Sequence, residues 1–349
     1  MAKTYVYFAT NRRGNKDKDP TEFTDEFAPD LDSIRLGWVE FEEADIDVAD
    51  NDVAAMGKKG TVYVAPENLD NQDATRSKVG SKEIFANIRK DMRAGCDALL
   101  YVHGYNYTFR ESVARAAQVR KWLDTADNPL VVLMFAWPSL GRGITPKLYT
   151  DERRRAEASG VAMGRAILKA TDFIRATARD ERCKGSVHLL AHSMGNWTLR
   201  GAVQHMRTFV GENIPPLFDE VILTAADEDD DALSQKYKLA PLLNGSRRVT
   251  VYYNHVDAAL KASDWAMGNP DRLGRSGPNG AGALKPKVEA VNVYPVVESK
   301  DDATLHQYYR LDEEVRRDMA EVLSGVPAAA MELPHRRVNL GDHWALRAG

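Results

Sequence analysis

The stretch Val187-His188-Leu189-Leu190-Ala191-His192-Ser193-Met194-Gly195-Asn196 decides how this chain is read. A largely apolar run ends in a serine, and Leu199, Val203, Met206 and Val210 then follow at helical spacing. A buried strand that delivers a serine at a sharp turn into a helix is a nucleophile elbow. The hydroxyl stands at the tip, and the first amides of the helix face whatever bonds to it. The turn brings the positions two before and two after the serine close together, so both must be small. Here they are Ala191 and Gly195, one methyl group away from Gly-x-Ser-x-Gly. The same residues also suit an ordinary strand-to-helix turn with a capping serine, so the reading rests on what the rest of the chain supplies.

Outward from the elbow, strand-like runs alternate with helices or long loops. Upstream, residues 98–102 form a short apolar run, followed by His103-Gly104-Tyr105-Asn106 and a helix from about 108 to 123. Thr108 and Glu111 fit a capping box at its start. Residues 130–135 read as the next strand, leading through Ala136-Trp137-Pro138-Ser139 to a helix carrying Ala162, Ala166, Leu168 and Ile174. Nearer the start, strands are expected at 5–10, 35–41 and 61–65, and a helix from Ser81 bears Phe85, Ile88 and Met92 on one face. Downstream, 220–225, 248–253 and 288–293 are strand-like, and Leu311, Val315, Met319 and Val322 mark a late amphipathic helix.

Strands apolar on both faces, interleaved with amphipathic helices, define an α/β fold with a mainly parallel sheet covered by helices on both sides. The expected organisation is a single domain over 1–349, with N-terminal strands and loops in 1–80. Loop insertions near the site are expected at 139–160 and 263–287, and a helix and polar tail at 311–349. Residues 11–32 read as a polar surface loop, and the Gly- and Pro-rich 263–286 as either a lid or a surface loop.

Composition narrows the function classes. A net charge of −4 with interleaved acidic and basic residues gives no footing for a nucleic-acid or anionic-membrane partner. Cys96 and Cys183 lack the spacing of a metal or redox motif and read as reduced structural residues. No apolar stretch approaches the ~20 residues of a membrane span, and no leader-like segment precedes the first strand, so a cytoplasmic location is expected. The expected partner is a neutral or small-molecule substrate.

A serine hydroxyl needs a base to take its proton and a carboxylate to orient that base. In this fold the acid follows the serine and the histidine comes last. Asp227 and Asp257 both follow strand runs. Asp227 opens the run Asp227-Glu228-Asp229-Asp230-Asp231, which reads as a solvated loop because adjacent carboxylates resist burial. Asp257 stands alone in an apolar setting and is the favoured acid, with Asp227 as the alternative. Among His306, His335 and His343, the first lies just before the late amphipathic helix and suits a loop over the sheet edge, while the others fall in the tail. The amides of Met194 and of Tyr105, after the flexible Gly104, form the expected oxyanion hole. His103, Asn106, Tyr107 and Trp137 are expected around the substrate, His103 bracing its turn and Trp137 either walling the pocket or lying in the core beneath it. His192 reads as directed away from Ser193, His188 as a satisfied core residue, and His255 is unassigned.

At this point the chain resembles the DUF900-type α/β-hydrolases, an esterase- and lipase-like group found in bacteria. The resemblance runs over about residues 4 to 310. Phe8-Ala9-Thr10-Asn11-Arg12, Val102-His103-Gly104-Tyr105-Asn106, Phe135-Ala136-Trp137-Pro138-Ser139 and the elbow carry it, with Asp257-Ala258-Ala259-Leu260 and Arg272-Leu273-Gly274. It implies an α/β-hydrolase fold, a Ser–Asp–His triad and no metal, with the nucleophile at Ser193, the acid at Asp257 and the histidine at His306. One departure is Ala226, where the relatives are expected to carry proline before Asp227.

The leading expectation is therefore a carboxylesterase working through an acyl-enzyme. Amide or peptide cleavage and acyl transfer need the same three residues and stay open, as does a catalytically silent binding module. Dehalogenase and epoxide-hydrolase chemistry need a carboxylate at the elbow, where this chain has Ser193. The choice of acid is directly testable: Asp257→Asn should lower kcat by orders of magnitude while Asp227→Asn stays mild, measured on the best of a panel of esters. The reverse ranking would transfer the role to Asp227.

Overall fold

The computed structural model describes residues 2–17, 19–66, 80–140, 145–175, 185–212, 214–268, 270–284, 286–298, 302–331 and 337–347. Cys183, His335 and the side chain of Ile174 lie outside them. The strands in chain order are β1 Lys3–Thr10, β2 Arg12–Gly14, β3 Phe23–Phe27, β4 Arg35–Glu42, β5 Thr61–Val64, β6 Asp97–Val102 and β7 Leu130–Ala136. They continue as β8 Val187–His192, β9 Phe218–Thr224, β10 Ser246–Tyr253, β11 Val288–Asn292, β12 Arg337–Asn339 and β13 Trp344–Leu346.

Eleven of these make one sheet in the order β12-β13-β11-β10-β9-β8-β6-β7-β1-β4-β5. From β1 through β13 in that order every neighbouring pair is parallel, and only the margins are antiparallel, at β1/β4, β4/β5 and β12/β13. The strand bearing the elbow, β8, lies between β6 and β9, with Leu189 and Ala191 buried on one face and Leu190 on the other. Strands apolar on both sides need cover on both sides. One face carries the helices Gly80–Arg93, Pro146–Arg175 and Gly195–Val210; the other carries Val53–Lys59, Phe109–Leu123 and Glu313–Leu323. The helix Phe109–Leu123 starts with a complete capping box between Thr108 and Glu111.

Several loop expectations are corrected by packing that no local pattern reveals. Residues 11–32 contain the hairpin of β2 and β3. The reason is Arg12, which is fully buried and bonds Asp25 Oδ1 at 2.9 Å and the carbonyl of Tyr107 at 2.7 Å. The insertion expected at 139–160 is helical from Pro146 onward. The segment expected as a lid or surface loop holds short helices at Leu273–Ser276 and Ala281–Leu284, with Arg272 and Leu273 fully buried. The supposedly polar tail adds β12 and β13 to the sheet. Arg337 anchors it, bonding Asp318 through Nε and Nη2 at 2.8 Å each and Glu289 through Nη1 at 2.7 Å. Such a buried ion pair is tolerable because its hydrogen bonds are made on both sides.

The long helix Pro146–Arg175 crosses the elbow helix Gly195–Val210 almost backbone to backbone. A Cβ on Gly160 would lie 2.3 Å from the carbonyl carbon of Gly201, and one on Gly201 would lie 2.2 Å from the carbonyl oxygen of Glu157. Gly201→Val should therefore force the helices apart and cost about 3 kcal/mol. The check is the urea midpoint of unfolding; an unchanged midpoint would show that the helices separate freely.

Candidate active site

Ser193 follows the last residue of β8 and has φ +52°. A non-glycine residue holds this left-handed conformation only when its surroundings fix it. Its N–H bonds the carbonyl of Thr224 at 3.0 Å, and its own carbonyl accepts the N–H groups of Asn196 at 3.1 Å and Asp227 at 3.2 Å. The elbow is pressed against the end of β6. A Cβ on Gly195 would lie 2.6 Å from the carbonyl oxygen of His103, and one on Gly104 would lie 3.0 Å from Ser193 Cβ. Glycine is required at 195 and a side chain at 104 would be tight, and the two turns meet where the amides of Met194 and Tyr105 were expected to converge.

His306 is 8% exposed and bridges two elements. Its Nε2 lies 2.9 Å from Ser193 Oγ, and its Nδ1 lies 2.7 Å from Asp257 Oδ2. Asp257 is fully buried after β10 as the N-cap of the helix Ala258–Met267. Its Oδ1 accepts the N–H of Leu260 at 2.9 Å, which leaves Oδ2 for the imidazole. The histidine loop is tied to the same place. The N–H of Ala258 donates to the carbonyl of Thr304 at 2.9 Å, and Asn254 Nδ2 donates to that of Leu305 at 3.0 Å.

Asp302, absent from the sequence reading, organises this loop. Its Oδ2 accepts the N–H groups of His306 and Gln307, both at 2.6 Å, and its Oδ1 accepts that of Thr304 at 2.9 Å. The Asp-x-Thr turn was the available signal. Burial alone would push the imidazole of His306 down. The charge and hydrogen bond of Asp257, joined by the charges of Asp302 and Asp227, outweigh it and hold the pKa above the ordinary value.

The other site histidines are kept neutral. His103 is driven down to about 3, first by burial and then by the charge of Arg12. Its Nδ1 lies 2.8 Å from the carbonyl oxygen of Gly104, and its ring stacks on Trp137 at 5.2 Å. Trp137 in turn donates its indole N–H to the carbonyl of His103 at 2.8 Å. Both are fully buried and brace the turn from beneath. His192 is pushed well below its ordinary value by burial and by His306. Its ring packs between Tyr309, at 4.4 Å, and His306, at 5.0 Å. His188 is buried with Nε2 3.3 Å from Asp97 Oδ2, His255 is exposed against Tyr294, and His343 pairs with Asp342 at the start of β13.

Asn106 sits at φ +66°, with its N–H on Ser139 Oγ at 2.8 Å, and Ser139 is held by the buried Glu152. Tyr105 and Tyr107 are half-buried. Asp227 is not solvated, contrary to expectation. It is 2% exposed, accepts the hydroxyls of Tyr149 and of Ser263, and lies 3.9 Å from Arg272 Nε. Its neighbours Glu228 and Asp229 are neutralised by Arg200, Lys238 and Arg272. Tyr149, whose ring lies 6.4 Å from that of Tyr105, was also missed, because a tyrosine in the first turn of a helix carries no local mark of a site.

A serine elbow after β8, a carboxylate after β10 and a histidine beyond β11, all past the carboxyl ends of parallel strands, define the class of α/β hydrolases. The chain belongs to the family described as alpha/beta hydrolase of unknown function (DUF900), whose model matches residues 78–323. No curated protein matches the chain. Among the described residues no helix is long and apolar enough to cross a membrane.

A base must be neutral to accept the serine proton, so raising the pKa of His306 moves the acid limb of reactivity to higher pH. The rate at which a fluorophosphonate labels the protein should fall as pH drops through a midpoint above 6.5. Asp227→Asn removes a charge that stabilises the imidazolium and should move that midpoint to lower pH. An unmoved limb would show that His306 does not feel Asp227.

Proposed function

We propose that this protein is a serine hydrolase that cleaves a small carboxylic ester through an acyl-enzyme. The observation that supports this is the chain of hydrogen bonds from Ser193 Oγ to His306 Nε2 at 2.9 Å and from His306 Nδ1 to Asp257 Oδ2 at 2.7 Å. His306 takes the proton as Ser193 Oγ attacks the carbonyl carbon, and Asp257 fixes the tautomer and stabilises the imidazolium. The amides of Tyr105 and Met194 receive the charge that develops on the carbonyl oxygen, each contributing on the order of 3 kcal/mol to the transition state. Collapse expels the alkoxide, which leaves with the proton from His306. Water then repeats the sequence on the acyl-enzyme and frees Ser193.

We assign the half-buried Tyr105 and Tyr107, with Tyr149 whose ring lies 6.4 Å from that of Tyr105, to an aromatic lining suited to apolar ester groups. A cytoplasmic location and the absence of a cofactor belong to the same reading.

Intact-mass analysis after a fluorophosphonate should show one adduct, absent in Ser193→Ala. An adduct that persists in that variant would sink the nucleophile assignment. A panel of ester, thioester and amide substrates should rank the esters first, and faster turnover of amides would redirect the reading to an amidase.

A further inference from the structure

A cavity of about 240 Å³ lies between the sheet and the helices Gly80–Arg93 and Pro146–Arg175. Leu100, Leu133 and Phe135 wall it from the strands, and Phe85, Met163 and Phe173 from the helices. Among the described residues, its lining side chains are apolar except Arg89 and Thr171. The Thr171 hydroxyl is spent on the carbonyl of Ile167 at 2.9 Å. Arg89 is half-buried, with its guanidinium 4.8 Å from the centre of the Phe173 ring.

A water molecule needs two to four polar partners, which the apolar walls of this partly open cavity do not offer away from Arg89. An apolar cavity of ~150 Å³ takes up benzene, so this one has room for a longer hydrocarbon. We propose that it binds the alkyl chain of a medium-chain fatty acid anion, whose carboxylate meets Arg89. Charge complementarity selects an anionic head, because Arg89 is the only cationic side chain among the described residues of the lining. The site is separate from Ser193. On the strands next to the elbow it is lined from the amino ends, by Ala98 of β6, Val187 of β8 and Phe218 of β9, and it runs on to Phe135 of β7 and Ala9 of β1, whereas Ser193 follows the carboxyl end of β8.

The test is calorimetric titration of the whole protein with sodium decanoate and, in parallel, with decanol. Decanoate should bind saturably at one site and raise the thermal unfolding midpoint, the rise growing with the logarithm of its concentration above the dissociation constant. Ala166→Leu and Ala170→Leu, both of which fill the cavity, should weaken both compounds at least about tenfold, a loss of ~1.4 kcal/mol. Ala170 is half-buried and keeps the test available if the Ala166 variant does not fold. Arg89→Gln should weaken decanoate much more than decanol. The absence of saturable binding, or undiminished binding in the filled variants, would overturn the proposal. So would loss of binding once Ser193 carries a fluorophosphonate adduct, which would move the occupant to the elbow. Equal decanoate affinity in Arg89→Gln would overturn the assignment to a fatty acid anion. None of these readouts requires the proposed hydrolysis, so failure of one reading leaves the other standing.

Discussion

The contact on which the site depends is the approach of Gly195 to the end of β6. With no Cβ at 195, the elbow closes against the carbonyl oxygens of Val102 and His103, and Gly104 in turn sits against Ser193 and His192. This approach holds Ser193 in its left-handed conformation and sets the turn after β6 beside the start of the elbow helix. A methyl group on Gly195 would lie 2.6 and 2.8 Å from two backbone carbonyl oxygens and push the turns apart, whereas one on Gly104 would press on Ser193 Cβ at 3.0 Å and need a shift of only a few tenths of an ångström. Everything below the contact serves to keep it closed. Trp137 bonds the carbonyl of His103, and Arg12 reaches under the same loop to the carbonyl of Tyr107.

A second constraint is electrostatic. Asp227, Glu228 and Asp229 are buried next to the elbow, where neighbouring carboxylates taken out of water repel one another. Burial drives Glu228 up to about 7 even with Arg200 beside it. The cluster is tolerable because Arg272 arrives from a distant part of the chain, within 3.0 Å of Asp229 and 3.9 Å of Asp227. The three site histidines show the same physics with opposite outcomes. His103 and His192 are buried without a carboxylate partner and stay neutral, whereas His306 has Asp257 and keeps the capacity to take a proton.

Local pattern, together with the family resemblance, was enough for the chain to announce its fold class. Strand runs apolar on both faces alternate with helices of 3.6-residue period, and both signals are written in consecutive residues. The elbow was legible for the same reason, since strand, small-Ser-x-Gly and helix are contiguous, and the capping box at Thr108 is likewise local. Asp257 stood out as a lone carboxylate in an apolar setting, and His306 as a histidine placed just before the late amphipathic helix.

Only the tertiary structure decided which polar residues are buried and what they touch. The acidic run at 227–231 looked solvated because its cations lie at positions 200, 238 and 272, and charge compensation across such separations leaves no trace in sequence. Asp302, Tyr149 and Ser263 were silent for a similar reason: each acts through a bond whose meaning depends on what another element has placed nearby. Trp137 was open between pocket wall and core until its burial was known, because an aromatic residue after a strand suits both. The tail looked polar because Arg337 marks it, yet that guanidinium is what binds it to Asp318 and Glu289 and so to the sheet. Periodicity fixes which way side chains face along one element, but the partners that make a buried charge affordable come only from the folded whole.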